Sequence, residues 1–138
     1  SIRSWSQGEP LVIRSPESTR PWQHVLEPVS GYLCLGARLL SQPFTGTGDS
    51  FNFGPHESSR HSVADLVREL QKTWKKAQWR AEPHTQLQGK EATLLSLNCE
   101  KAAQKLKWAP TLSFEETVRF TAEWYEGFYA GKTALELA

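Results

Sequence analysis

Two serines set the frame of this chain. Ser62 stands three residues ahead of Asp65, Ser113 stands three ahead of Glu116, and each pair opens a run of apolar residues at helical spacing. In such a capping box the serine hydroxyl accepts from the amide three residues on, while the acid reaches back to the serine's own amide. Two orphan donors are satisfied and a helix start is fixed, at about 1 kcal/mol per cap. The first helix runs on Val63, Leu66, Val67, Leu70 and Trp74, the second on Phe114, Val118, Ala122, Tyr125 and Tyr129. Stripes of this kind need a surface to cover them.

A third stripe comes earlier, where Leu26, Val29, Leu33, Ala37 and Leu40 predict a helix over Leu26–Leu40 that carries Cys34 in an apolar neighbourhood. Pro28 is tolerable in its first turn. Ser1–Gly8 reads as the last turns of a helix, with Ile2 and Trp5 apolar and Gly8 where a helix stops. Short extended pieces are expected at Leu11–Ile13, Trp22–Val25, Phe51–Gly54 ahead of Pro55, Trp79–Glu82 and Thr93–Leu97, and Asn98 caps a short helix through Leu106. Short strands alternating with helices, without an internal repeat, predict an α/β arrangement rich in helix. The strands are too few for a complete doubly wound sheet, so the expectation is a domain that supplements another sheet. At 138 residues the whole chain, 1–138, reads as one such domain.

Composition removes several classes of function. Acids and bases are interspersed and the formal net charge is only +1, so there is no field for general nucleic-acid binding and any anion is gripped locally. Cys34 and Cys99 lie far apart and form no CxxC, which points away from a disulfide framework or zinc knuckle and toward a reducing, cytoplasmic setting. No apolar run approaches the roughly 20 residues of a membrane span, and the N-terminus has no export signal. The expected chain is soluble, with no membrane partner.

Three apparent motifs fail on geometry. In "HESSRH", His56 and His61 are five apart, which on a helix separates them by about 140° and forbids a shared metal; the segment reads as solvated loop polar groups. "TGTGDSF" offers Gly46 and Gly48 but has Phe51 at the third glycine position of a dinucleotide loop and no helix after it. Cys99 sits near a helix start that favours a thiolate, yet no histidine is placed by sequence to serve it as a base.

What remains is "IRSPESTRPWQHVLEP", residues 13 to 28, where Arg14, Arg20 and His24 crowd among prolines. An arginine presents a planar fork of donors that suits phosphate, and Arg20, held between Thr19 and Pro21, has a stiffened backbone behind it. Lys90 and Glu91, in "QGKEATLLSLN", read as surface residues on their own.

The stretch "GEPLVIRSPESTRPWQHVLEPVSGYL" resembles the sugar-nucleotide dehydratases and epimerases of the extended short-chain dehydrogenase/reductase family, and "RPWQHVLEP" is similar to its cytidine branch, the CDP-glucose 4,6-dehydratases. The resemblance runs on through "FNFGP", "HSVADLVRELQKTW", "LNCEKAAQKLKWAP" and "LSFEETVRFTAEWYEGF", in the family's order. It implies the small C-terminal, substrate-binding domain of such an enzyme without the Rossmann domain, closing over a CDP-sugar. It also implies an NAD cofactor held by a separate NAD-binding domain, with none bound by this chain. The family's reaction is an internal redox cycle in which hydride leaves the sugar's C4 for NAD, water is lost across C5 and C6, and hydride returns to C6. By motif, Arg20 is implied to contact the nucleotide's diphosphate or ribose, with Arg14 a second binding residue and His24 in a supporting role. Glu91 is implied to accept from a ribose hydroxyl or to orient an arginine, and Lys90 stands where the family has a histidine.

The departures narrow what is implied. Gln88 replaces an arginine, Asn98 replaces the usual aspartate, no glycine-rich cofactor loop occurs, and neither Tyr32, Tyr125 nor Tyr129 has a lysine four residues on. No catalytic residue is therefore assigned. The alternatives are a stand-alone interaction or regulatory domain derived from this fold, or part of another sugar-nucleotide epimerase. A surface that once met an NAD-binding domain is expected to be apolar, and to self-associate as a homo-oligomer or recruit a partner.

Overall fold

In a computed structural model both capping boxes form. Ser62 Oγ accepts from the Asp65 amide at 3.1 Å while the Ser62 amide donates to Asp65 Oδ2 at 2.9 Å, and Ser113 and Glu116 repeat the arrangement at 3.1 and 2.9 Å. The structure describes residues 2–41, 48–56, 60–82 and 95–137. In chain order it contains α1 (Ile2–Ser6), β1 (Leu11–Ile13), β2 (Thr19–Arg20), α2 (Leu26–Ser41), β3 (His61–Ser62), α3 (Val63–Thr73), β4 (Trp79–Ala81), α4 (Glu100–Leu106), α5 (Phe114–Tyr129) and a closing 3-10 turn (Ala134–Leu137).

The capped helices α3 and α5 pack together and make the main core. Val67, Leu70, Trp74, Phe114, Val118 and Ala122 are buried there with Trp5 and Ile13. Trp5 is fully buried, meets Trp74 edge to face at 6.0 Å, and its indole donates to Gln78 O at 2.7 Å. One short helix is thereby anchored by a side chain whose burial is worth about 3 kcal/mol. Gly8, at φ +78°, takes the left-handed turn that ends this helix.

The described strands form two separate pairs. β1 and β4 run parallel, with Leu11 against Trp79 and Ile13 against Ala81; β2 and β3 run antiparallel, with Thr19 against Ser62 and Arg20 against His61. The expected strand at Trp22–Val25 is displaced to Thr19–Arg20, because Pro21 has no amide to continue the ladder. Phe51–Gly54 is not a strand: its carbonyl groups and side chains are held by Gln23 Nε2 on Phe53 O at 3.0 Å and by Asn52 on Asn98 O at 3.1 Å. Of the strand expected at Thr93–Leu97, the described part is irregular. Asn98 does serve the next helix, its Oδ1 accepting from the Glu100 amide at 2.9 Å.

A second cluster gathers Phe53, Ala102, Leu106 and Trp108, with Cys34 and Leu35 of α2 against it. Here α2 departs from expectation. Its helical span matches, but the buried positions are Glu27 and Gly31, while Leu26, Leu33 and Leu40 of the predicted stripe are 63%, 71% and 92% exposed. No helix among the described residues is long and apolar enough to cross a membrane.

Candidate functional site

Arg20 is positioned from both sides. Pro21 fixes the backbone beyond it, the Trp22 amide donates to Arg20 O at 2.9 Å, and the Trp22 indole donates to His61 O at 3.0 Å. The tryptophan therefore staples "RPW" to β3. The Arg20 guanidinium donates through Nη1 to Thr19 O at 2.7 Å.

The β2–β3 pairing brings a second arginine to the same place. Because Arg20 lies opposite His61, the residue just ahead of the strand, Arg60, comes round beside it. Arg20, Arg60 and His56 line a narrow notch of about 20 Å³ whose far wall is Leu95, Ser96 and Leu97. No carboxylate lines it among the described residues. Arginine forks beside an imidazole are side chains of a kind that suits an anion.

A wider cavity of about 260 Å³ adjoins the notch, sharing Pro55 and His56 with it. Its walls include Trp22 and the pair His61 and Phe114, whose rings stack at 3.7 Å with 7° between planes. Glu27 also faces it, buried, with Oε1 accepting from the Thr111 amide at 2.9 Å, the Thr111 hydroxyl at 3.1 Å and the Leu112 amide at 2.7 Å. That carboxylate ties the start of α2 to the turn before α5 and so holds one wall of the cavity.

The residues read from sequence are distributed unevenly. Arg20 lies at the notch; Arg14 is exposed at the bend after β1 and is not among its lining residues. His24 is turned to structure, its Nδ1 accepting from the Leu26 amide at 3.4 Å and its ring edge to face with Phe120 at 6.2 Å. Lys90 and Glu91 lie outside the described residues. Sequence reading took Arg60 and His56 for solvated loop groups, and both are exposed outside helix and strand; it did not single out Glu27. Only the strand pairing reveals the two cations, and no local signal marks them.

No family model matches the chain. It is 33% identical to the CDP-glucose 4,6-dehydratase of Salmonella typhimurium over 97% of its own length, which is 37% of that relative. Among solved structures, the UDP-glucuronic acid 4-epimerase of Bacillus cereus, in complex with UDP-glucuronic acid and NAD, superposes with a TM-score of 0.72 at 20% identity, over 93% of this chain and 38% of that one. The UDP-glucose 4-epimerase of Thermotoga maritima, with UDP-glucose, gives 0.68 at 21%, over 92% and 38%. Sequence and fold agree with the likeness carried by "RPWQHVLEP": this chain is a relative of part of a CDP-glucose 4,6-dehydratase, with the fold of a portion of the extended short-chain dehydrogenases/reductases.

Proposed function

We propose that this chain is the sugar-nucleotide-gripping portion of a CDP-glucose 4,6-dehydratase-like enzyme, holding the nucleotide diphosphate between Arg20 and Arg60. The observation that carries this reading is that Arg20, Arg60 and His56 line one notch beside the wider cavity. A diphosphate spreads its charge over several oxygens, and two rigid forks can bind it with more than one hydrogen bond each. The wider cavity beside the notch gives room for part of the nucleotide beyond its phosphates.

NAD does not fit the described residues. The cofactor's phosphates call for a strand, a glycine turn and a helix start in that order, whereas β1 is followed by Arg14, Ser15 and Pro16 and then by β2. In this reading the hydride chemistry belongs to a separate NAD-binding domain, the chain works in a cytoplasmic enzyme, and it has no turnover alone. Robust conversion of CDP-glucose to the 4-keto sugar by this chain with added NAD would sink it.

Calorimetry with CDP tests the grip directly. The expected result is weak binding that Arg20→Ala reduces by about 1.5–3 kcal/mol, roughly tenfold or more, as for a lost charge-assisted contact. Equal affinity in the variant removes Arg20 from the site, and competition among CDP, UDP and GDP separates the cytidine reading from another sugar-nucleotide enzyme. The second reading, a stand-alone interaction domain, is favoured by one observation, the exposed apolar face of α2.

A further inference from the structure

One oxygen of Glu27 has no partner among the described residues. The side chain is 5% exposed, and its Oε1 takes all three donors from Thr111 and Leu112, while Oε2 meets none of the described donors. That oxygen is not sealed off either, because the buried side-chain atom without a partner among the described residues is Gln23 Oε1. Glu27 lines the cavity of about 260 Å³, and Oε2 is open toward it. Thr117 lines the same cavity at 6% exposure, and its hydroxyl likewise meets no partner among the described residues. A largely buried carboxylate oxygen left without a donor is costly unless something in the cavity supplies one.

The walls say what kind of ligand would do so. Trp22 and the stacked rings of His61 and Phe114 offer flat apolar surface, which suits a flat ring. The volume lies below the roughly 300–1,000 Å³ of sites for drug-sized ligands and suits one such ring with part of a sugar. A carboxylate accepts and does not donate, so the edge it reads carries N–H. A metal ion is not suited, since no group of three or more metal-ligating side chains gathers among the described residues. We propose that Glu27 reads the nucleotide's base, its Oε2 accepting from the exocyclic N4 amine of cytosine while the Thr117 hydroxyl donates to an acceptor of the same ring. The identity of this ligand rests on the nucleotide reading above, the cavity sharing Pro55 and His56 with the notch.

The same oxygen refuses uracil. Uracil carries the carbonyl oxygen O4 where cytosine carries N4, so two acceptors would face each other with no proton between them. Ribose hydroxyls are common to both nucleosides and make no such distinction. Glu27→Gln turns the argument round. The donors from Thr111 and Leu112 hold the amide's oxygen in place of Oε1, which leaves its NH₂ toward the cavity. A donor then stands where an acceptor stood, and the preference passes from cytosine to uracil. Mere loosening of the cavity wall would weaken both bases alike.

NMR titration of the full chain with cytidine, uridine and N4,N4-dimethylcytidine tests the proposal without engaging the notch, since none of the three carries a phosphate. Cytidine is expected to bind at about 1 mM, and about tenfold or more tightly than the other two, which offer Oε2 no N–H. Glu27→Gln is expected to invert the order of cytidine and uridine, with circular dichroism unchanged, and Thr117→Val to weaken cytidine. The unsubstituted chain decides the matter even where a variant fails to fold. Equal affinity for cytidine and uridine overturns the proposal, as does a preference that a folded Glu27→Gln leaves in place, or a chain that no nucleoside binds at about 20 mM. Pyrophosphate, titrated separately, reports on the notch alone. If it binds the chain and not Arg20→Ala while the nucleosides do not bind, the phosphate reading stands and the base site falls; if the nucleosides discriminate and pyrophosphate does not bind, the base site stands and the phosphate grip falls.

Discussion

Gly31 of α2 lies flat against the ring of Phe53, so close that a Cβ on the glycine would fall 2.3 Å from Phe53 Cδ1. The glycine is there for the approach, since its helical conformation is open to any residue. Phe53 cannot retreat easily, because it is buried and packed edge to face on Trp108 at 4.9 Å and on Tyr32 at 5.6 Å. Gly31→Ala, which in an open helix gains about 1 kcal/mol, is therefore expected to cost about 1–3 kcal/mol through overpacking. Urea denaturation decides the sign; a stabilised variant would place Phe53 elsewhere.

Glu27 holds the second junction. Its buried Oε1 gathers three donors from Thr111 and Leu112, and the neighbouring Ser30 hydroxyl, which donates to Glu27 O at 2.7 Å, accepts from the Trp108 indole at 2.9 Å. Glu27→Ala strands two amides and a hydroxyl, and a loss of about 3 kcal/mol is expected. Glu27→Gln keeps an acceptor and costs about 1 kcal/mol. Equal losses in the two variants, measured by chemical denaturation, would show that packing and not acceptance matters here.

The capping boxes make stability depend on acid. The Ser62 amide, then its hydroxyl, hold the Asp65 carboxyl below its ordinary value, and the Ser113 amide and hydroxyl do the same for Glu116. A depressed carboxylate contributes stability that is full above its unfolded value, near pH 4, and is lost as pH falls through the lower folded value. Between pH 7 and pH 3 the chain is expected to lose more stability than an Asp65→Asn, Glu116→Gln variant does. Parallel denaturation curves at the two pH values check this, and equal losses would show that the caps bind their carboxylates no better than water.

The parts of this fold legible in the sequence are those set by near neighbours. Ser62 and Ser113 declare their helices within four residues, and the stripes of α3 and α5 face the core because each finds the other. For α2 the same periodicity names an apolar face correctly but not what covers it; the described core takes the other side, through Gly31 and Glu27, residues that no hydrophobic pattern selects. The two-residue strands β2 and β3 are too short to show a period of two, so the register that joins Arg20 to His61 leaves no trace in the sequence. The nearness of Arg60 and His56 to Arg20 is hidden for that reason, since Arg60 follows Arg20 by 40 residues and His56 by 36.

That hidden register has a measurable consequence for binding. If Arg20 and Arg60 share one anion, removing either lets the other re-aim, and the losses in CDP affinity from Arg20→Ala and Arg60→Ala should not add. The double variant is expected to fall short of the sum by 0.5 kcal/mol or more, about twofold in Kd. Arg14→Ala, outside the notch, should add independently or do nothing. Binding through two guanidinium groups should also weaken with salt, since partly exposed charges are screened over about 8 Å at physiological ionic strength. Strict additivity between Arg20 and Arg60, with no salt dependence, would mean that the two arginines hold different things and that the notch is not a phosphate site.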